Sequence, residues 1–232
     1  MSGTIITYTD YKSPYAFLAK EMTYALEREF DVEVDWRPYT LDIPAYLGDA
    51  KVDEQGNVVA ENRNPHQWRR VRYSYMDCRR QANELGLTIR GPRKIFNSSI
   101  AAVGMLFAQK QGVFRTYNDT TFERFWKREL DIEDPAVVAS VLADVGADAA
   151  GFNNYLEGEG QAELDRLRLE AEELGVFGVP TFVLDGELFW GREHFPMMRQ
   201  RLDQGIDYGS GGDADHLSLP LARRCDLPGG RP

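Results

Sequence analysis

Residues 174–191, LGVFGVPTFVLDGELFWG, decide the fold. Gly175 ends a helix, an apolar loop leads to the Val179-Pro180 bond, and two β-prone runs, Thr181–Leu184 and Glu187–Trp190, flank Asp185-Gly186. An Asp-Gly pair between such runs is the strongest short-range hairpin signal, because both residues tolerate the positive φ of a tight primed turn. Pro180 stands at the mouth of the first strand and removes an amide donor that a central strand would use. Two conformations are open there. A trans proline can start an edge strand, or a cis proline can turn the Val179 backbone toward something other than a neighbouring strand.

Outward from this stretch, a helix over about 159–174 delivers the chain to the loop, and one over 193–202 closes it. At the other end, Thr4–Tyr8 is a short β-prone run and Asp31–Tyr39 alternates Val32, Val34 and Trp36 with charged residues. Between them Ser13 caps a helix with Pro14 in its first turn and an apolar face of Phe17, Leu18, Met22, Ala25 and Leu26. Strand, helix, strand in under about forty residues is a βαβ unit, so this pair of strands is parallel. Residues 42–65 have little periodicity and read as a long loop with a turn at 54–57. Helices follow from Gln67 to Gly86, over Ile100–Gln111 behind Ser98 or Ser99, and from Asp119 or Thr120 through Phe122, Phe125, Trp126 and Leu130. Asp134-Pro135 and Asp148 open two more. No strand is expected over 42–160.

The order helix, apolar loop, Val-Pro, hairpin, helix resembles the C-terminal half of a thioredoxin fold. GVFGVPTFVLDGELFWG, with Ser13-Pro14-Tyr15 at the first helix, resembles the 2-hydroxychromene-2-carboxylate isomerases, relatives of kappa-class glutathione transferases and DsbA-type oxidoreductases. The resemblance spans Thr4 to Leu202. With the element order, it implies an α/β thioredoxin-like domain from residues 1–41 and 161–205 and an inserted all-helical domain over 42–160. The tail over 206–232 lies beyond the resemblance, and Gly209-Ser210-Gly211-Gly212 in it reads as flexible linker composition.

The formal net charge of −10 argues against nucleic-acid or anionic-membrane partners, so an anionic substrate has to be drawn in by a local site. Met1-Ser2-Gly3-Thr4 has no signal-peptide pattern, and Ile100–Ala108 is too short to span a bilayer. Cys78 and Cys225 form neither a CxxC nor a metal cluster, which points to a reducing cytoplasm. His66 and His194 lack a second ligand at metal spacing, so no metal is expected.

At the start of the first helix DsbA-type enzymes carry Cys-x-x-Cys, with the helix dipole lowering the first thiol's pKa. This chain has Ser13-Pro14-Tyr15-Ala16, which excludes disulfide exchange by that site. Ser13 alone reads as an N-cap. In the resembling family the serine hydroxyl also donates to the thiolate of bound glutathione, and one hydroxyl can do both. The resemblance further implies that the backbone of Val179, before Pro180, pairs with the cysteinyl part of glutathione. It places the γ-glutamyl group near Arg192 and Glu193, where aspartate is usual and glutamate could instead stabilise its own helix. Asn64, in preference to Asn62, matches a ligand-contacting asparagine. Tyr73, Asp77 and Arg80 match a recurrent spacing on the long helix that reads as a polar network, and Asn97 reads as a turn residue.

Tyr15, Tyr39, Trp68 and Phe177 are candidates for lining an aromatic pocket. Cys78 falls on an apolar face as a packed thiol. The arginines over 69–80 read as a solvated helix face that could also attract an anion. The expected function is a glutathione-dependent isomerase acting on an anionic aromatic or unsaturated carboxylate, in a chain whose relatives are often dimers. The rivals are a kappa-like transferase and a non-catalytic binding module that keeps the groove beside Pro180.

Overall fold

The computed structural model describes residues 3–204. In chain order it contains β1 (Gly3–Thr9), α1 (Pro14–Glu29), β2 (Val32–Pro38), α2 (Ile43–Leu47), β3 (Ala50–Val52), β4 (Val58–Glu61), α3 (Pro65–Glu84) and α4 (Ser99–Lys110). There follow α5 (Phe114–Trp126), α6 (Pro135–Asp144), α7 (Phe152–Glu157), α8 (Glu159–Glu173), β5 (Thr181–Leu184), β6 (Glu187–Trp190) and α9 (Phe195–Gln204). β1 and β2 pair in parallel from Gly3↔Val32 to Thr9↔Pro38. β5 joins β1 antiparallel through Ile6↔Val183 and Tyr8↔Thr181, and β6 returns on β5 to give the order β2-β1-β5-β6. Asp185 and Gly186 both take positive φ, 52° and 79°, as a primed hairpin turn requires. The Val179-Pro180 bond is cis. The fold is thus the α/β thioredoxin-like fold of DsbA type, with one sheet built from both ends of the chain. The tail over 206–232, with Cys225, lies outside the described residues.

The helices between the two halves of the sheet share one apolar core with it. Phe122 of α5 is fully buried, stacks on Phe17 of α1 at 5.5 Å between ring centroids, and meets Tyr11 edge-on at 4.8 Å. Trp36 of β2 packs on Tyr24 of α1 and on Phe114 of α5.

The expectation of a bare loop over 42–65 is corrected by α2 and the β3–β4 hairpin. Asp42 caps α2 by accepting from the Ala45 amide at 3.3 Å, but five residues are too few to show an apolar period. β3 pairs antiparallel with β4, yet every residue of β4 is exposed, so the hairpin has no buried face to produce alternation. The turn itself lies over 53–57, tied by Asp53 accepting from the Asn57 amide. α5 also starts earlier than Asp119. Its N-cap is Val113, which makes no side-chain cap bond, after a tight turn at Gly112 with φ 71°. Asp119 sits inside that helix, where it accepts from Lys20 and from the Tyr24 hydroxyl.

Candidate active site

The site begins at the turn between β1 and α1. The Asp10 carboxylate is fully buried and accepts from the Lys12 amide at 3.1 Å and the Leu41 amide at 2.7 Å, with Lys12 Nζ at 3.5 Å. The Asp10 carbonyl accepts from the Ser13 amide at 2.9 Å. These bonds fix the chain direction into α1 and set Ser13 as its N-cap. Ser13 Oγ accepts from the Ala16 amide at 3.2 Å and donates to the Val179 carbonyl at 3.4 Å. The second bond is long, so the hydroxyl proton is available to a better acceptor. The first turn of α1 carries no acidic residue, which leaves the positive end of its dipole unneutralised.

Two hollows meet at Tyr15 and Val179. One, of about 180 Å³, is bounded by Ser13, Pro14, Leu41, Ile43, Leu47, Val71, Ile95 and Phe96, with Lys12 and Arg63 as its charged groups. The other, of about 590 Å³, lies between Pro180, Trp190, Gly191, Arg192 and Glu193 on one side and Asp77 and Gln81 on the other. The Gly191 amide donates to the Pro180 carbonyl at 2.9 Å, which ties the hairpin end to the Val-Pro loop. Gly191 has φ 97°, and a Cβ there would lie 2.3 Å from Glu193 Oε2, so the turn that presents Glu193 needs glycine.

A cap serine, a cis-proline loop and a four-stranded sheet set the frame in which the relatives are compared. The DSBA-like thioredoxin domain family model matches residues 4–203. The chain belongs to this family. A curated relative named 2-hydroxychromene-2-carboxylate isomerase, from Sphingobium xenophagum, is 27% identical over 203 residues, covering 87% of this chain and 99% of the relative. The solved structure of a 2-hydroxychromene-2-carboxylate isomerase superimposes with a TM-score of 0.67 at 20% identity, over 87% of this chain and 95% of that one. A probable DsbA oxidoreductase from Streptomyces coelicolor gives 0.70 at 19% identity, over 91% and 94%. Backbone likeness therefore extends to enzymes of both names, and the side chains at the start of α1 have to separate them.

Within this DSBA-like frame, Tyr15 is held in place from α3. Its hydroxyl donates to Asp77 Oδ2 at 3.0 Å, and Gln81 Nε2 donates to the same oxygen at 2.7 Å. Burial, and then the bond to Asp77, push the Tyr15 phenol well above its ordinary pKa, so it stays protonated and serves as a fixed wall between the hollows. Arg80 approaches Asp77 at 3.9 Å, whereas Tyr73 points to solvent.

Val179, Pro180, Arg192 and Glu193 gather around the larger hollow, and Ser13 lines the smaller one. Asn64 is not brought to either. Its carboxamide oxygen accepts from the His66 and Gln67 amides at 2.9 Å in a capping box for α3. Its neighbour Arg63 lines the Ser13 hollow instead. Asn97 is a turn residue whose side chain accepts from Ser99. Among the aromatic candidates, Tyr15 lines both hollows, Tyr39 packs on Tyr8, Trp68 lies farther out on α3, and Phe177 is 66% exposed against Trp190. Sequence reasoning missed Asp10, Lys12, Asp77 as the Tyr15 acceptor, and Arg63. The signal for Asp10 and Lys12 was two charged residues inside a turn leading straight into a buried helix.

Cys78 is fully buried, and burial pushes its thiol up to about 11. At about pH 8 the thiol is therefore protonated in the native protein, whereas an unfolded cysteine near 8.5 is partly ionised. Iodoacetamide at that pH is expected to leave Cys78 unmodified in peptide maps of native protein and to label it after denaturation. Equal labelling rates in the two states would contradict its placement.

Proposed function

We propose that this chain is a glutathione-dependent isomerase of the 2-hydroxychromene-2-carboxylate type, acting on an anionic, conjugated, aromatic or unsaturated carboxylate. The observation that carries this is the Ser13 hydroxyl at the N-terminus of α1, only weakly bonded to the Val179 carbonyl at 3.4 Å, with Ala16 where a second cysteine would sit. Glutathione fits the groups present. Among the described residues the Val179 amide has no hydrogen-bond partner within the chain, which suits pairing with an extended peptide. Arg192 and Glu193 offer one group of each sign for the α-carboxylate and α-ammonium of a γ-glutamyl residue.

Glutathione, when bound, would supply a thiolate that adds reversibly to the conjugated carbon; the hemiketal C–O bond of the ring would open to a phenol and a ketone, and rotation before the thiol is expelled would re-form the alkene in the other geometry. The Ser13 hydroxyl donates a hydrogen bond to that sulfur, and the positive end of α1 lowers the cost of its charge. Arg63, which makes no ion pair among the described residues, attracts the substrate carboxylate into an otherwise apolar hollow, whose walls exclude water and hold the reacting carbon in place, while Lys12 is held by Asp10. Tyr15, locked by Asp77, keeps the substrate and γ-glutamyl sides apart.

The test is a product assay with 2-hydroxychromene-2-carboxylate and catalytic glutathione. The expected result is approach to the same substrate-to-product ratio from either side, with all glutathione recovered as free thiol. A stable thioether would assign a transferase instead, and the absence of glutathione binding would leave a non-catalytic groove.

A further inference from the structure

A second cleft, of about 740 Å³, opens between α3, the β3–β4 hairpin and residues 91–95. No carboxylate lines it, although the chain as a whole carries a net charge of −10. Its rim cations are partnered: Arg80 meets Asp77, Arg93 meets Glu54, and Lys94 meets Glu133. Arg63, Arg72, Arg79 and Arg128 have no ion-pair partner among the described residues.

Three of these four are aimed by the backbone. Arg63 Nε donates to the Leu47 carbonyl at 3.0 Å, Arg79 Nε to the Ile89 carbonyl at 3.3 Å, and Arg128 Nε to the Gly91 carbonyl at 2.7 Å. Each bond uses the nitrogen nearest the stem and leaves the terminal nitrogens for an anion. Arg63 and Arg72 also lie over the Trp68 ring, at 5.0 and 5.7 Å. Arg128 follows the C-cap of α5 with φ 62°, a position where glycine is the usual residue. What an arginine adds there is its guanidinium. Its pKa is lowered first by burial and then by Arg93, Arg79 and Arg90, which marks positive charge left uncompensated.

The cleft shares Arg63, Val71, Tyr75, Pro92 and Ile95 with the hollow beside Ser13. We propose that it binds the oligophosphate group of a small molecule, a site that does not depend on the function proposed above. A compact run of phosphates matches several converging guanidinium forks, and the acidic surface elsewhere disfavours a long nucleic acid.

The test is calorimetric titration with inorganic tripolyphosphate and, separately, citrate, at two salt concentrations. It compares wild type with the double variant Arg72→Gln, Arg128→Gly, whose glycine suits the left-handed position. Glutathione is titrated into the same samples. Tripolyphosphate is expected to bind more tightly than citrate, to weaken with salt, and to lose about tenfold or more in the variant, while glutathione binding stays the same. Three results would overturn the proposal: no tripolyphosphate binding, binding that the variant leaves unchanged, or citrate binding as tight. Tripolyphosphate binding without glutathione binding would uphold the phosphate site and count against the Ser13 chemistry alone.

Discussion

Ser13→Ala is expected to slow glutathione-dependent isomerisation by about 100- to 1,000-fold, the loss typical of removing one donor aimed at developing negative charge. The same substitution removes the cap bond to the Ala16 amide and costs about 1 kcal/mol of stability. Glycine at an N-cap costs only a few tenths of a kcal/mol, so Ser13→Gly separates the two effects. Both variants lose the donor. If activity falls equally in both while only the alanine variant melts earlier, the hydroxyl acts on the thiolate. If Ser13→Gly keeps wild-type activity, Ser13 is a cap and nothing more.

Phe122→Ala is expected to cost about 3–5 kcal/mol, the range for emptying a buried aromatic site. Phe122 is fully buried between Phe17 and Tyr11, which flank the turn that carries Ser13. In a chain of this size the loss corresponds to a fall in Tm of roughly 6–20 °C. Because the ring comes from a helix of the intervening segment and its partners from the sheet end, the variant also tests whether the two unfold together. A single cooperative transition displaced to lower temperature is expected by circular dichroism. Two separated transitions would show that the two parts depend on Phe122 to unfold together and would contradict one continuous core.

The fold was legible where local chemistry leaves few choices. Asp185-Gly186 between two β-prone runs can make little but a tight hairpin, and Ser13-Pro14 before an apolar period of helical spacing marks an N-terminus. The segment over 42–65 was not legible because its hairpin is exposed on every residue of β4, and periodicity records burial rather than pairing. Asp119 misled for a related reason. A polar residue ahead of an apolar run looks like a cap, but its carboxylate is bonded to Lys20 and Tyr24, residues about a hundred positions away.

The site was half legible. Ser13, Val179 and Glu193 stand in local motifs that sequence displays. Asp77 and Arg63 join the site only because α3 crosses the mouth of α1, and such a crossing has no local signature. Asn64 illustrates the converse. An asparagine before Pro65, with Gln67 three positions on, carries a complete capping box that engages its carboxamide oxygen away from both hollows.

The central claim is that Ser13 and the N-terminus of α1 hold glutathione as a thiolate. Its most direct test is a pH titration of the ultraviolet absorbance of the thiolate in wild-type protein loaded with glutathione, repeated with Ser13→Ala. A free cysteine thiol titrates near about 8.5. The expected result is ionisation of the bound thiol well below that value in wild type, shifted upward by at least about one pH unit in the variant, equivalent to a lost hydrogen bond of about 1.4 kcal/mol. Glutathione that fails to bind, or that titrates when bound as it does in free solution, would contradict the claim.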